Sequence, residues 1–200
     1  MSMRKKESTL VNMVVVLFVI TLVAGLTLGF VNDLTLAPKA RARLAKKVNA
    51  LQSVLPPFDN DPVAGFMRIK ADTGRDSIEL YPAFRDGVFI GGAATGSSQK
   101  GYSGPVRLLV GFHPDGRINN IEVLEQKETP GLGTKMKGDQ FLRQFRGKNP
   151  SAFDLRAQKD GGQVDALAGA TISTRAFAEA AREACDAFAE NKDTLSEPNN

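Results

Sequence analysis

A chain of 200 residues with 42% apolar and 24% charged residues holds one domain's worth of core once a membrane segment is set aside. Its single cysteine, Cys185, and single histidine, His113, exclude an internal disulfide framework, a cysteine-ligated zinc or iron–sulfur centre held by this chain alone, and a histidine-based triad. The net charge of +4 gathers near the N-terminal apolar run and comes with no nucleic-acid motif, so it points to an anionic surface such as lipid and to no nucleic acid.

Residues 1–9 form a polar, basic tail with Arg4, Lys5 and Lys6. Residues 10–31, LVNMVVVLFVITLVAGLTLGFV, carry no charge. As a helix they span roughly 33 Å, against a hydrocarbon core of roughly 30 Å. The run is too long for a usual signal peptide and no Ala-x-Ala site follows it, so it reads as an uncleaved transmembrane anchor. The flanking charge leaves orientation open: Arg4–Lys6 lie on one side, and Lys39, Arg41, Arg43, Lys46 and Lys47 lie on the other. Leu44, Val48, Leu51 and Leu55 recur at helical spacing and predict an amphipathic helix over 38–55. That helix serves equally as a headgroup-bound surface helix or as a solvated connector. With the proline-bearing stretch Pro56–Pro62 it makes a connecting segment over 32–62.

From residue 63 the pattern is that of a folded α+β domain ending near 191, with a polar tail over 192–200. Ser77–Phe84 and Val88–Ala94 flank Arg85-Asp86-Gly87, which is hairpin chemistry. Val106–Phe112 and Ile118–Leu124 flank His113-Pro114-Asp115-Gly116, a second hairpin that leaves His113 as a turn residue. The glycines at 91, 92, 96 and 101 open no helix and make no dinucleotide fingerprint, and no Walker lysine is present. Gly138–Arg146 predicts a short core-packing helix through Phe141, Leu142 and Phe145. Leu155–Ala157 and Gln163–Leu167 flank Lys-Asp-Gly-Gly and predict a third hairpin. A closing helix follows from Phe177, Ala181, Ala184 and Phe188, with Cys185 as a small apolar packing residue.

The third hairpin delivers the stretch the domain is organised around, Asp165–Thr174, DALAGATIST. Gly169-Ala170 is a small-residue turn, and Ser173 or Thr174 is suited to cap the helix. Thr171 then sits just ahead of a helix N-terminus, where backbone N–H groups and the helix dipole favour a phosphate. On the tripeptide alone, a plain turn with a helix cap explains the residues as well. Upstream, Glu128-Thr129-Pro130-Gly131-Leu132-Gly133 is a loop whose glycines admit close backbone approach, and Gly101-Tyr102-Ser103-Gly104 precedes the second hairpin.

In order, GYSG, a hairpin, ETPGLG and Asp-x-x-x-Gly-Ala-Thr resemble the FMN-binding domain of the G subunit of Rnf-type electron-transport complexes and of the C subunit of sodium-translocating NADH:quinone oxidoreductase. The resemblance covers roughly residues 75–190 and extends to the anchor; the chain length favours the Rnf member of the pair. The family's motif is Asp-x-x-(Ser/Thr)-Gly-Ala-Thr, with FMN joined through its phosphate to the last threonine. Asp165, Gly169, Ala170 and Thr171 match it, and Ala168 departs from it.

The resemblance implies a membrane-anchored electron-carrier subunit with FMN as a phosphoester on Thr171, attached by a flavin transferase from FAD. Gly169, Ala170 and Ser173 would lie at the phosphate, with Tyr102 and Glu128, Thr129, Pro130, Gly131, Leu132 and Gly133 lining the flavin pocket. Asp165 would serve the transferase as a recognition or a catalytic-assist residue. It implies further membrane and redox subunits coupling ferredoxin:NAD⁺ electron transfer to ion translocation, an inner-membrane anchor and a flavin domain on the periplasmic side. The chain itself offers no catalytic residue. A C-type subunit and a non-redox assembly module are the alternatives. A hydrolase built on Thr171 lacks a base.

Overall fold

The computed structural model describes residues 10–70 and 77–197; the basic tail over 1–9 and the last residues of the polar tail lie outside them. The chain divides into two compact units at Lys46/Lys47. Helix α1 runs Leu10–Val54 and contains Pro38. The predicted connecting helix is therefore the C-terminal part of α1 and not a separate element. Within the first unit, Leu10–Leu36 has a mean hydropathy of 2.8 and, among the described residues, is the one helix long and apolar enough to cross a membrane. Its threonines return their hydroxyls to their own backbone: Thr21 Oγ1 donates to the Leu17 carbonyl at 3.0 Å and Thr27 Oγ1 to the Val23 carbonyl at 2.7 Å. Hydrocarbon offers no other partner for such groups.

The second unit is built on a five-stranded antiparallel sheet in sequential order: β1 (Met67–Lys70), β2 (Ser77–Arg85), β3 (Val88–Ser98), β4 (Val106–Phe112) and β5 (Ile118–Glu125). The two predicted hairpins are β2–β3 and β4–β5. The first turns on Asp86 and Gly87, both at positive φ (51° and 75°), as a tight two-residue loop requires. The short edge strand β1 was not predicted; it pairs with β2 from Met67 opposite Leu80 to Lys70 opposite Ser77.

Period-two alternation sends successive residues to two cores. Leu80, Ala94, Leu108 and Val110 face helix α3 (Thr171–Ser196), whose Phe177, Ala181, Ala184 and Phe188 pack onto them. Phe188 stacks on Phe112 with ring centroids 4.3 Å apart. Tyr81, Ala83, Ala93 and Leu109 face the opposite way, onto Leu51, Val54 and Leu55 of α1. A Cβ on Gly111 would lie 2.0 Å from the Val54 carbonyl oxygen, so this end of α1 rests directly on β4 backbone. Asn119 and Asn120 of β5 donate from Nδ2 to the carbonyls of Val54 (2.7 Å) and Ser53 (2.9 Å), capping groups a helix C-terminus leaves orphaned.

Glu79 fastens the same face. It accepts from Lys47 Nζ (2.8 Å), Tyr81 Oη (2.6 Å) and Arg68 (3.2 Å). Burial alone would raise its pKa, but these donors outweigh burial and hold it at about 2, down from 4.5.

Three predicted elements differ. Over 155–167 there is no hairpin: a 3-10 turn at Gln158–Asp160 turns the chain, and Ala157 meets Val164 in one parallel bridge. The short helix α2 spans only Asp139–Leu142, with Phe141 and Phe145 packed edge-on in the core. At the C-terminus, α3 continues past Asn191 to Ser196, because Leu195 is buried.

Candidate functional site

Helix α3 begins at Thr171 itself, one turn earlier than a cap at Thr174 would place it. Gly169 closes the preceding loop at φ +74°, and a Cβ there would also lie 3.3 Å from Leu132 Cδ2. Ala170 occupies the cap position and has no side chain able to cap, so no side-chain hydrogen bond satisfies the first turn. The N–H groups of Thr171, Ile172 and Ser173 have no intrahelical acceptor in this geometry. They form an anion-receiving end with the Thr171 hydroxyl inside it.

The hydroxyl of Thr174 works elsewhere. It is fully buried, accepts from Leu167 N–H at 3.0 Å and donates to the Ala170 carbonyl at 2.9 Å. It thereby latches the loop that delivers Thr171.

Opposite this end lies the loop from Glu128 to Gly133, which continues into a 3-10 turn over Gly133–Lys137. Thr134 closes the loop on itself, its N–H reaching the Thr129 carbonyl and its Oγ1 accepting from Gly131 N–H at 3.0 Å. A Cβ on Gly133 would come within 2.6 Å of both Glu128 Cβ and Ser173 Oγ, so only glycine allows the loop to close on α3. Between loop and helix lies a cleft of about 470 Å³. It is lined by Tyr102, Glu128, Thr129, Leu132, Gly133, Gly169, Ala170, Thr171, Ile172 and Ser173.

Nine of the twelve residues singled out from the sequence thus come together. Pro130 and Gly131 do not line the cleft; they form the exposed outer bend of the loop. Asp165 does not line it either. It is exposed, accepting from Gln158 Nε2 at 2.6 Å and donating its N–H to Gln144 Oε1 at 2.7 Å. Ala168 is also exposed and outside the cleft. Sequence reasoning missed Ile172. An apolar side chain off the buried face of an amphipathic helix, directly after Thr171, was the available signal.

The cleft's chemistry is simple. Among the described residues, Glu128, 4% exposed, is the one carboxyl lining it, and no lysine or arginine does. A phosphate here is received by backbone N–H groups and the helix dipole. Tyr102, Leu132 and Ile172 stay 69%, 42% and 47% exposed, leaving apolar surface at the mouth for a flat ring system. Anion-receiving N–H groups, the half-buried Thr171 hydroxyl and an apolar rim fit an aromatic cofactor that carries a phosphate.

Comparison with known proteins places the chain in a family. A family model described as "FMN-binding domain" matches residues 101–186. The G subunit of the ion-translocating oxidoreductase complex of Cereibacter sphaeroides is 35% identical over 167 residues, 78% of this chain and 74% of its own. Its counterpart in Pseudomonas aeruginosa is 33% identical over 180 residues, 85% of this chain and 84% of its own. Among solved structures, NqrC of Shewanella oneidensis is similar with a TM-score of 0.49 and 21% identity, covering 70% of this chain and 68% of its own.

Proposed function

The chain belongs to the family of G subunits of ion-translocating oxidoreductase complexes, and from that premise we infer a single-pass membrane subunit that carries electrons on FMN within such a complex. The observation that carries this reading is the cleft: the uncapped start of α3, with the Thr171 hydroxyl at its first position, faces the Glu128–Gly133 loop.

Thr171 Oγ1 is the covalent acceptor. A separate flavin transferase would supply the FMN phosphoryl group from FAD: the Thr171 O–P bond would form as the pyrophosphate bond breaks, with AMP leaving and the hydroxyl proton passing to a base of the transferase. Among the described residues no basic side chain is hydrogen-bonded to the Thr171 hydroxyl, so its activation falls to the transferase. The N–H groups of Thr171, Ile172 and Ser173 would hold the phosphate, and the helix dipole would favour the charge that remains on the diester. Tyr102, Leu132 and Ile172, at the mouth of the cleft, would offer apolar surface to the ring. FMN supplies the electron chemistry, and the protein sets its position and environment.

Asp165, exposed and outside the cleft, is free for recognition by the transferase. Leu10–Leu36 anchors the chain in the inner membrane, with the flavin domain on the periplasmic side. Its partners are the other membrane and redox subunits of the complex.

The test is intact mass of the chain expressed with a flavin transferase, followed by peptide mapping of residues 160–182. An FMN adduct on Thr171 that disappears in Thr171→Ala is the expected result. A Thr171→Ala chain that keeps covalent flavin refutes the acceptor assignment.

A further inference from the structure

Glu128 is a carboxyl-bearing side chain deep in the second unit, 4% exposed, at the floor of the cleft. Such a group must find hydrogen bonds inside the protein. Its two oxygens find them on two different segments. Oε2 accepts from Ser173 Oγ at 2.7 Å, in the first turn of α3, 45 residues away. Oε1 accepts from the Ser103 N–H at 3.3 Å, in the Gly101–Gly104 segment, 25 residues away. Its own N–H is fixed by Gln126 Oε1 at 2.6 Å. Ser173 is itself 2% exposed, so its hydroxyl has no water to fall back on. Among the described residues neither partner is a cation. The absence of a side chain at Gly133, where a Cβ would lie 2.9 Å from Oε2, leaves room for the carboxyl.

We propose that Glu128 is a positioning residue: by tying Ser103 to Ser173 it fixes the first turn of α3, and with it Thr171, before any flavin arrives. This rests on Thr171 being the acceptor. The geometry makes length the critical property of residue 128. A side chain that spans from the loop to both partners keeps the three segments together, whether it ends in a carboxyl or an amide, because the Ser173 hydroxyl can donate or accept. A side chain one methylene shorter cannot reach both.

The test uses the full chain with its transferase and FAD. The rate of Thr171 modification is read by intact mass, and amide hydrogen exchange is read on the unmodified chains. Glu128→Asp and Ser173→Ala should each slow modification by about tenfold, the factor carried by one hydrogen bond that holds a reacting geometry. The double variant should be about as slow as the slower single one, because both cut the same tie. Glu128→Gln should restore most of the rate. On the unmodified chains the Ser103 amide should exchange faster in Glu128→Asp but not in Ser173→Ala, while the Thr174 amide should exchange faster in both.

A purely structural role predicts instead that the rates follow global unfolding free energy and that the two single effects multiply. Either result overturns the proposal, as does wild-type modification of folded Glu128→Asp or Ser173→Ala. If wild type is modified and the variants match it, only this proposal falls. If wild type stays unmodified beside an active control substrate, the acceptor assignment falls and the proposal with it.

Discussion

Thr174→Val tests whether the loop that presents Thr171 is held from inside the helix. Valine has threonine's shape, so the change removes the hydroxyl and little else. Two hydrogen bonds disappear. The Leu167 N–H loses its acceptor at 3.0 Å in a site with no exposure, and the Ala170 carbonyl loses the hydroxyl at 2.9 Å but keeps the Thr174 N–H at 3.0 Å. The second loss is therefore small. The first strands a buried donor, which costs roughly 1–3 kcal/mol. The expected destabilisation is about 2 kcal/mol with an unchanged denaturant slope. Thr174→Ser keeps both hydrogen bonds and gives up one methyl group, at about 1 kcal/mol. The assay is urea unfolding of the detergent-solubilised chain, followed by the near-ultraviolet circular dichroism of buried Tyr81, since the protein has no tryptophan. A Thr174→Val chain within about 0.5 kcal/mol of wild type, or a serine variant as damaged as the valine one, refutes the latch, since surface-like changes stay in that range.

The Glu79 cluster makes the chain's stability depend on pH in a stated direction. A carboxyl whose pKa is lowered by folding, here from 4.5 to about 2, adds stability above pH 4.5 that is lost as pH falls toward 2. The gap in urea midpoint between wild type and Glu79→Gln should therefore be widest at neutral pH and close across that window; a gap that does not change with pH contradicts the assignment. Gly111→Ala drives a methyl group into the Val54 carbonyl and should cost about 1–3 kcal/mol, with faster amide exchange confined to the last turn of α1 and to β4. Unchanged unfolding would mean that the helix end is not seated on β4. Burial pushes the Cys185 thiol up to about 12, so iodoacetamide at pH 8 should leave it unmodified in the folded chain and alkylate it fully in urea. Rapid labelling of the folded chain would place Cys185 at the surface.

The sequence was most informative where local chemistry decides the structure. The β2–β3 and β4–β5 hairpins each carried an Asp-Gly turn between β-prone runs, with alternation at Ile118, Ile121 and Val123 in β5. The apolar face of α3 showed in Phe177, Ala181, Ala184 and Phe188. Where tertiary contacts decide, the residues misled. Leu155–Ala157 and Gln163–Leu167 look like paired strands. However, Asp154 binds the Gln163 side chain through its N–H and holds the Arg156 guanidinium, and the chain between coils into a 3-10 turn that sets Ala157 and Val164 parallel. Strand β1 was missed because Met-Arg-Ile-Lys is too short to show a period, and its pairing depends on β2. At the site, the cleft-forming motifs could be read because each is contiguous. Contacts joining Glu128 to Ser103 and Ser173 span tens of residues and leave no local trace. Ser173 or Thr174 was expected at the helix cap; the fold buries both and gives their hydroxyls partners outside the helix's first N–H groups.

Strand β1 has a further consequence, for how copies of this protein tolerate one another. An edge strand presents unpaired N–H and C=O groups that can template a neighbour, and confinement to a membrane plane raises the chance of such encounters. Here the edge is four residues long, and its exposed positions are Arg68 and Lys70. Two copies approaching edge to edge would bring like charges together along a strand too short to compensate by pairing. Arg68 is also held by Glu79 and lies over the Phe66 ring, its guanidinium carbon 5.4 Å from the centroid, so its charge stays at the edge. Among the described residues no further strand pairs with β1, and these charges let the sheet stay open on this side and still resist aggregation.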